Sequence, residues 1–107
     1  MKEQLIEILK TFGYIVRLQG SFTEDERYPD SFFTIWNNDT IAFIWNFTIN
    51  FYSVDPVLVN TIPERVRSAL RKDGWIVYGK GYDVPSDEPT HTGRALDAVY
   101  IESNQGG

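Results

Sequence analysis

The chain has no cysteine, one histidine and one methionine among its 107 residues. Without cysteine there can be no disulfide, no thiolate metal site and no thiol nucleophile, and the composition fits a reducing compartment. With a single histidine, a zinc site built from His and Cys ligands is out of reach. No stretch approaches the roughly 20 consecutive apolar residues of a membrane-spanning helix. Met1 to Lys10 spreads its charges along its length and lacks an apolar h-region, so it does not read as a signal peptide. Basic residues are also scarce: ten against fifteen acidic, a net charge of −5. Phosphate neutralisation supplies most general nucleic-acid affinity, so specific nucleic-acid binding is not expected of this chain. An anionic membrane surface is an equally poor partner. No motif calls for a cofactor.

What is present is a chain of one-domain size, expected to fold as a single unit over 1–107 with a frayed tail at 103–107. Apolar residues make up 42% and aromatics 15%, a load that favours a β-rich core over disorder. Leu5, Ile6, Ile8, Leu9 and Phe12 recur at helical spacing, which predicts a helix over 2–12 ended by Gly13. Tyr14 to Leu18 reads as a first strand and Phe32 to Trp36 as a second. Asn37 to Thr40 is a turn cluster, and Ile41 to Ser53 a third strand that forms a hairpin with the second. In that third strand Phe43, Trp45, Phe47, Ile49 and Phe51 alternate with Ile44, Asn46, Thr48, Asn50 and Tyr52, so one face is buried and the other largely polar. Asp55-Pro56 starts a second helix, with Asp as cap and Pro at the first position. Pro63 predicts a kink, or a later start near Thr61, and Gly74 the stop. Trp75 to Tyr78 is a fourth strand, 79–94 a long loop, and Ala95 to Glu102 a last strand. The order α-β-β-β-α-β-β predicts an α+β two-layer sandwich, a mainly antiparallel sheet with two helices.

Few residues suggest chemistry. His91 has Ser86, Asp87 and Glu88 close in sequence, and a hydrolytic set would need one of them held beside it. There is no Gly-x-Ser-x-Gly elbow and no oxyanion device, so His91 reads as a loop histidine that bonds a backbone group, and the chain as a non-enzyme. Glu24, Asp25, Glu26 and Asp30, or Asp83, Asp87 and Glu88, could meet a cation, but neither set has calcium-loop spacing. They read as solvated acidic loops. Arg65, Arg67, Arg71 and Lys72 place four of the ten basic residues within eight positions. They fit a phosphate-binding face, an interface with an acidic neighbour, or a solvated helix side that complements the helix dipole, and the last is favoured. Phe32, Phe33, Trp36, Phe43, Trp45, Phe47 and Phe51 could be imagined as a base-stacking platform. Their alternation, and the lack of Lys or Arg between Ile41 and Ser53, read instead as core. Two long loops, 20–31 and 79–94, remain. Loops of such length are uncommon in compact domains unless they function. Their residues Glu24, Asp25, Glu26, Arg27, Tyr28, Asp30, Tyr82, Asp83, Asp87, Glu88, His91 and Arg94 are the candidate protein contacts.

Four segments carry a resemblance: 20–24 (GSFTE), 28–37 (YPDSFFTIWN), 50–56 (NFYSVDP) and 81–94 (GYDVPSDEPTHTGR). Together they resemble small tail-completion proteins, also called tail terminators or head–tail joining proteins, of tailed phages and prophages of Gram-positive bacteria. The resemblance implies a sheet flanked by helices with long loops. It implies a structural virion protein, assembled in the bacterial host cytoplasm as a ring, a hexamer, at the head-proximal end of the tail tube. Its partners would be copies of itself and the tail-tube and head-connector proteins, with DNA passing through the ring. The turn Asn37 to Thr40 is shorter than the matching segment of those proteins, where a neighbouring subunit would make contact. The alternative from composition alone is a small non-catalytic module or regulator that docks one host protein.

Overall fold

The computed structural model of the chain describes residues 2–18, 29–38, 43–79, 81–86 and 89–102. The elements run α1 (Lys2–Lys10), β1 (Ile15–Leu18), β2 (Ser31–Asn37), β3 (Ile44–Ser53), α2 (Pro56–Lys72), β4 (Ile76–Val77), β5 (Tyr82–Val84) and β6 (Thr92–Ile101). The fold is α+β: two helices beside a mostly antiparallel sheet ordered β1-β2-β3-β6-β4, with β5 also paired to β6. The expected order holds with one additional strand.

The sheet is built around the long pairing of β3 with β6, whose ten-residue register runs from Ile44 opposite Ile101 to Ser53 opposite Thr92. β2 and β3 form the expected hairpin, with Phe33 opposite Phe51 and Ile35 opposite Ile49. Directly opposed residues share a face, so Phe33, Ile35, Phe47, Ile49, Phe51, Leu96 and Ala98 point the same way. Against that face pack Leu5 and Leu9 of α1 and Ile62, Val66 and Leu70 of α2, all in one buried cluster. Each such Leu, Ile or Phe contributes about 1.5–3 kcal/mol by leaving water. Phe33 and Phe51 meet at 5.0 Å between ring centroids, and Tyr14 sets its ring edge-on to both.

Several expectations are corrected. β1 runs parallel to β2, Ile15 opposite Phe32 to Leu18 opposite Ile35. A parallel pair needs a crossover between its strands, and most of the connection from Leu18 to Ser31 lies outside the described residues. α1 stops at Lys10 and continues as a turn to Gly13, which has φ +87°. β3 is assigned from Ile44 rather than Ile41. Phe43 and Trp36, read as core, are about half exposed at 46% and 47%. Trp36 stands opposite Thr48, on the face turned away from the helices, and Phe43 sits in the turn ahead of β3. α2 is a single assigned helix of 17 residues through Pro63, so a start at Thr61 is excluded. Pro63 is itself buried. Its ring packs in the protein interior, and tertiary packing outweighs the lost donor. The α2 ends follow expectation: Oδ1 of Asp55 accepts from the Val57 amide at 2.9 Å, and Gly74 takes φ +93° just beyond the helix.

The expected loop 79–94 is the largest correction. β4 and β5 lie end to end on the same side of β6: Val77 stands opposite Ala98, and Tyr82 opposite Ala95. Only Leu96 and Asp97 separate the two pairings on β6, so the edge is interrupted between Val77 and Tyr82. Gly79 and Gly81, with φ +61° and +91°, make the turn. An alanine Cβ at Gly81 would stand 2.6 Å from the Ala95 carbonyl oxygen, so glycine is required there. Beyond the loop, β6 begins at Thr92 and takes in Gly93 and Arg94.

Candidate contact surface

α2 reaches one end of the sheet through its N-terminus, and both long loops return to that end. The Val54 amide donates to the Asp30 carbonyl at 2.9 Å. Nε2 of His91 lies 2.7 Å from the Pro29 carbonyl oxygen, and Nδ1 lies 3.0 Å from Thr90 Oγ1. A carbonyl can only accept, so Nε2 carries the proton and donates. In the neutral ring Nδ1 then accepts from the Thr90 hydroxyl. The imidazole is buried and meets Phe32 edge-on at 5.8 Å. It is thus a clasp between residues 62 positions apart.

Beside the clasp, Phe32 stacks on Tyr52 at 5.2 Å. Tyr52 lies over Gly93: a Cβ there would stand 2.6 Å from two Tyr52 ring carbons. A glycine inside a strand marks such a close approach.

Of the candidate contact residues, the structure brings Asp30, Tyr82, Asp83, His91 and Arg94 toward this half of the molecule. Glu24, Asp25, Glu26, Arg27, Tyr28, Asp87 and Glu88 lie outside the described residues. Arg94 Nη1 donates to Asn60 Oδ1 at 3.4 Å, a long contact that links β6 to α2. A cleft of about 390 Å³ opens between the first turn of α2 and the β5–β6 connection, with Pro56, Val59, Val84 and Pro85 as apolar walls and Asp83 and His91 at its sides.

The sheet face turned away from both helices carries a polar belt that sequence reading missed. Asn38 Nδ2 donates to Thr48 Oγ1 at 2.8 Å, Thr48 Oγ1 to Asp97 Oδ1 at 2.9 Å, and the Tyr82 hydroxyl reaches the same oxygen at 3.4 Å. Burial, and then the Asp97 charge and hydrogen bond, hold the Tyr82 hydroxyl above the ordinary tyrosine pKa. Asn50, buried in the same face, donates to Thr34 Oγ1 at 3.1 Å. The belt was half legible: Thr48 and Asn50 alternate with the core residues of β3, but Asp97 and Tyr82 come from strands whose register the sequence does not display. Beyond the belt the face becomes apolar, with Ile44, Ile76 and Ile101 each more than 40% exposed.

Among the described residues no group of three or more His, Asp or Glu could hold a metal ion, and no helix is long and apolar enough to cross a membrane. In comparison with known proteins, no family model and no curated protein matches the chain.

Proposed function

We propose that this chain is a structural assembly subunit, a tail-completion protein that caps the head-proximal end of a phage tail tube as a ring of identical copies. The observation that carries the reading is the convergence of the two long loops. Segments 28–37 and 81–94, which resemble tail-completion proteins, meet through the His91–Pro29 hydrogen bond and bring Asp30, Asp83 and a cleft of mixed polar and apolar lining to one end. Loops positioned by a rigid sheet scaffold are where binding residues concentrate, which supports a contact role for this end. The net charge of −5 supports the same reading, because a ring threaded by DNA should not grip phosphates.

The test is electron microscopy of the protein alone and mixed with purified tail-tube protein of the same phage or prophage. Rings, or tubes closed at one end by added density, are expected. Tubes that stay open, with the protein excluded from them, would refute the reading.

A further inference from the structure

The basic residues of α2, read from sequence as one solvated helix side, divide between two sides of the helix. Asn60, Glu64, Arg67 and Arg71 recur at three- and four-residue spacing and share one face. Arg65, two positions before Arg67, stands on nearly the opposite side. Two hydrogen bonds fix what the Arg67 face looks toward. Arg94 Nη1 donates to Asn60 Oδ1 and Arg71 Nη2 to the Val77 carbonyl, each at 3.4 Å. The stripe therefore runs beside β6 and β4, along the stretch where the edge is interrupted between Val77 and Tyr82. Arg94 reaches up from β6 and lines the helix–sheet seam with Pro63, Val66 and Leu96. Arg67 is one turn beyond Pro63. The backbone closes on Arg94 at Gly81, where a Cβ would stand 3.3 Å from Nε, and leaves open space at Gly79, where a Cβ would meet nothing within 4 Å.

Three guanidinium groups thus meet on one seam. Nε of Arg67 and Nε of Arg94 are shut off from solvent and have no hydrogen-bond partner. Two carboxylates stand nearby: Glu64 on the same stripe, and Asp83 opposite Arg94 in the strand register. Both are exposed, and among the described residues no carboxylate pairs with Arg67, Arg71 or Arg94. Partly desolvated cations without a counter-charge are costly, and their mutual repulsion adds to that cost.

We infer that this seam binds a small oxyanion, a phosphoryl group, between Arg67, Arg71 and Arg94. The two oxygens of a carboxylate serve one guanidinium fork. Here forks come from two elements, α2 and β6, and a tetrahedral phosphoryl group has oxygens for both. The buried Nε atoms show that the stems of Arg67 and Arg94 are packed, so their forks are held before the ligand arrives and less ordering opposes binding. A nucleic acid is not the source of the phosphate. Glu64 and Asp83 flank the seam, and a chain of net charge −5 repels a polyanion along its length. The site does not depend on ring assembly.

The experiment is calorimetric titration of the full chain with inorganic phosphate near neutral pH, with sodium chloride at matched ionic strength as control. Wild type should bind one phosphate per chain. Arg67→Gln should weaken binding roughly tenfold or more, through loss of one charged fork. Arg94→Lys keeps the charge but not the fork and should weaken it as well. Arg65→Gln, on the other side of α2, should bind like wild type. Circular dichroism shows that each variant is folded, and Arg71→Gln, at an exposed position, replaces Arg94→Lys if that variant does not fold. A second titration with glycerol phosphate separates the two sources: tighter binding than phosphate assigns a phosphorylated small molecule, and equal or weaker binding assigns free phosphate. No saturable binding of either compound overturns the inference. Equal weakening by Arg65→Gln and Arg67→Gln also overturns it, because the helix then attracts anions diffusely. So does a short DNA duplex that displaces the bound phosphate, because the site would then read nucleic-acid backbone.

Discussion

Gly93→Ala tests the packing that joins the contact end to the sheet. The backbone at Gly93 is free of positive φ, so alanine meets no conformational obstacle there, and the whole effect is steric. The new Cβ would stand 2.6 Å from Tyr52 Cδ1 and Cε1 and 2.9 Å from Val84 Cγ2. Tyr52 cannot simply rotate away, because it stacks on buried Phe32. Overpacking of this kind costs about 1–3 kcal/mol. Removing a strand glycine returns about 0.5–1 kcal/mol, so the net loss should be about 1–2 kcal/mol. For a domain of this size that lowers Tm by roughly 5–10 °C. Urea unfolding with an unchanged m-value would report it. The control is the same change in a Tyr52→Ala background, where most of the penalty should vanish, leaving only the Val84 contact. An equal penalty in both backgrounds would show that Tyr52 does not lie over Gly93 and would refute the packing described.

His91→Ala leaves the Pro29 carbonyl without its donor and should cost about 1–3 kcal/mol; hydrogen exchange should rise at the Asp30 and Ser31 amides before it rises in α2, and uniform exchange would argue against a local clasp. Gly81→Ala combines φ +91° with a Cβ 2.6 Å from a carbonyl oxygen, whereas Gly79→Ala has a positive φ and open space, so thermal melts should rank Gly81→Ala as clearly the more damaging. Tyr82 gives a pH prediction with a definite sign. Its folded pKa is raised, so its contribution is fully present below the unfolded tyrosine pKa and is lost as pH rises through the folded value. Stability should therefore fall on the alkaline side, less so in Tyr82→Phe, and a normal phenol titration at Tyr82 followed by ultraviolet absorbance would contradict it. Asp55→Ala removes the α2 cap and should cost about 1 kcal/mol by chemical denaturation, with Asp55→Asn nearly neutral.

The parts of the fold that the sequence displayed are those fixed by local chemistry. Asp55-Pro56 and Gly74 bracket α2 because cap and stop act within one turn, and the alternation from Phe47 to Phe51 marks β3 because its period is set by the pleat. What was not legible depends on partners distant in sequence. β5 is a strand only because Tyr82 to Val84 lie along β6, and the Gly, Pro and Asp residues around it read as loop. Nothing in Ile15 to Leu18 themselves displays the parallel pairing of β1 with β2. Pro63 sits inside α2 because the interior packs around its ring, an effect local propensity does not contain. For the contact surface, the two loops were identifiable by length and composition, and His91 as a residue that bonds the backbone. Their convergence was not, since it rests on one hydrogen bond from His91 to Pro29. Tyr52 and Asp97 carried no motif, and only the strand register shows what they face.

Light scattering of the protein across a wide concentration range, alone and with tail-tube protein, tests the central claim of assembly most directly. The account predicts a multi-copy species of the 12.4 kDa chain, a hexamer, that grows with concentration or forms on the tube protein. A monomer under every condition, with no mass added to the tube protein, would contradict it.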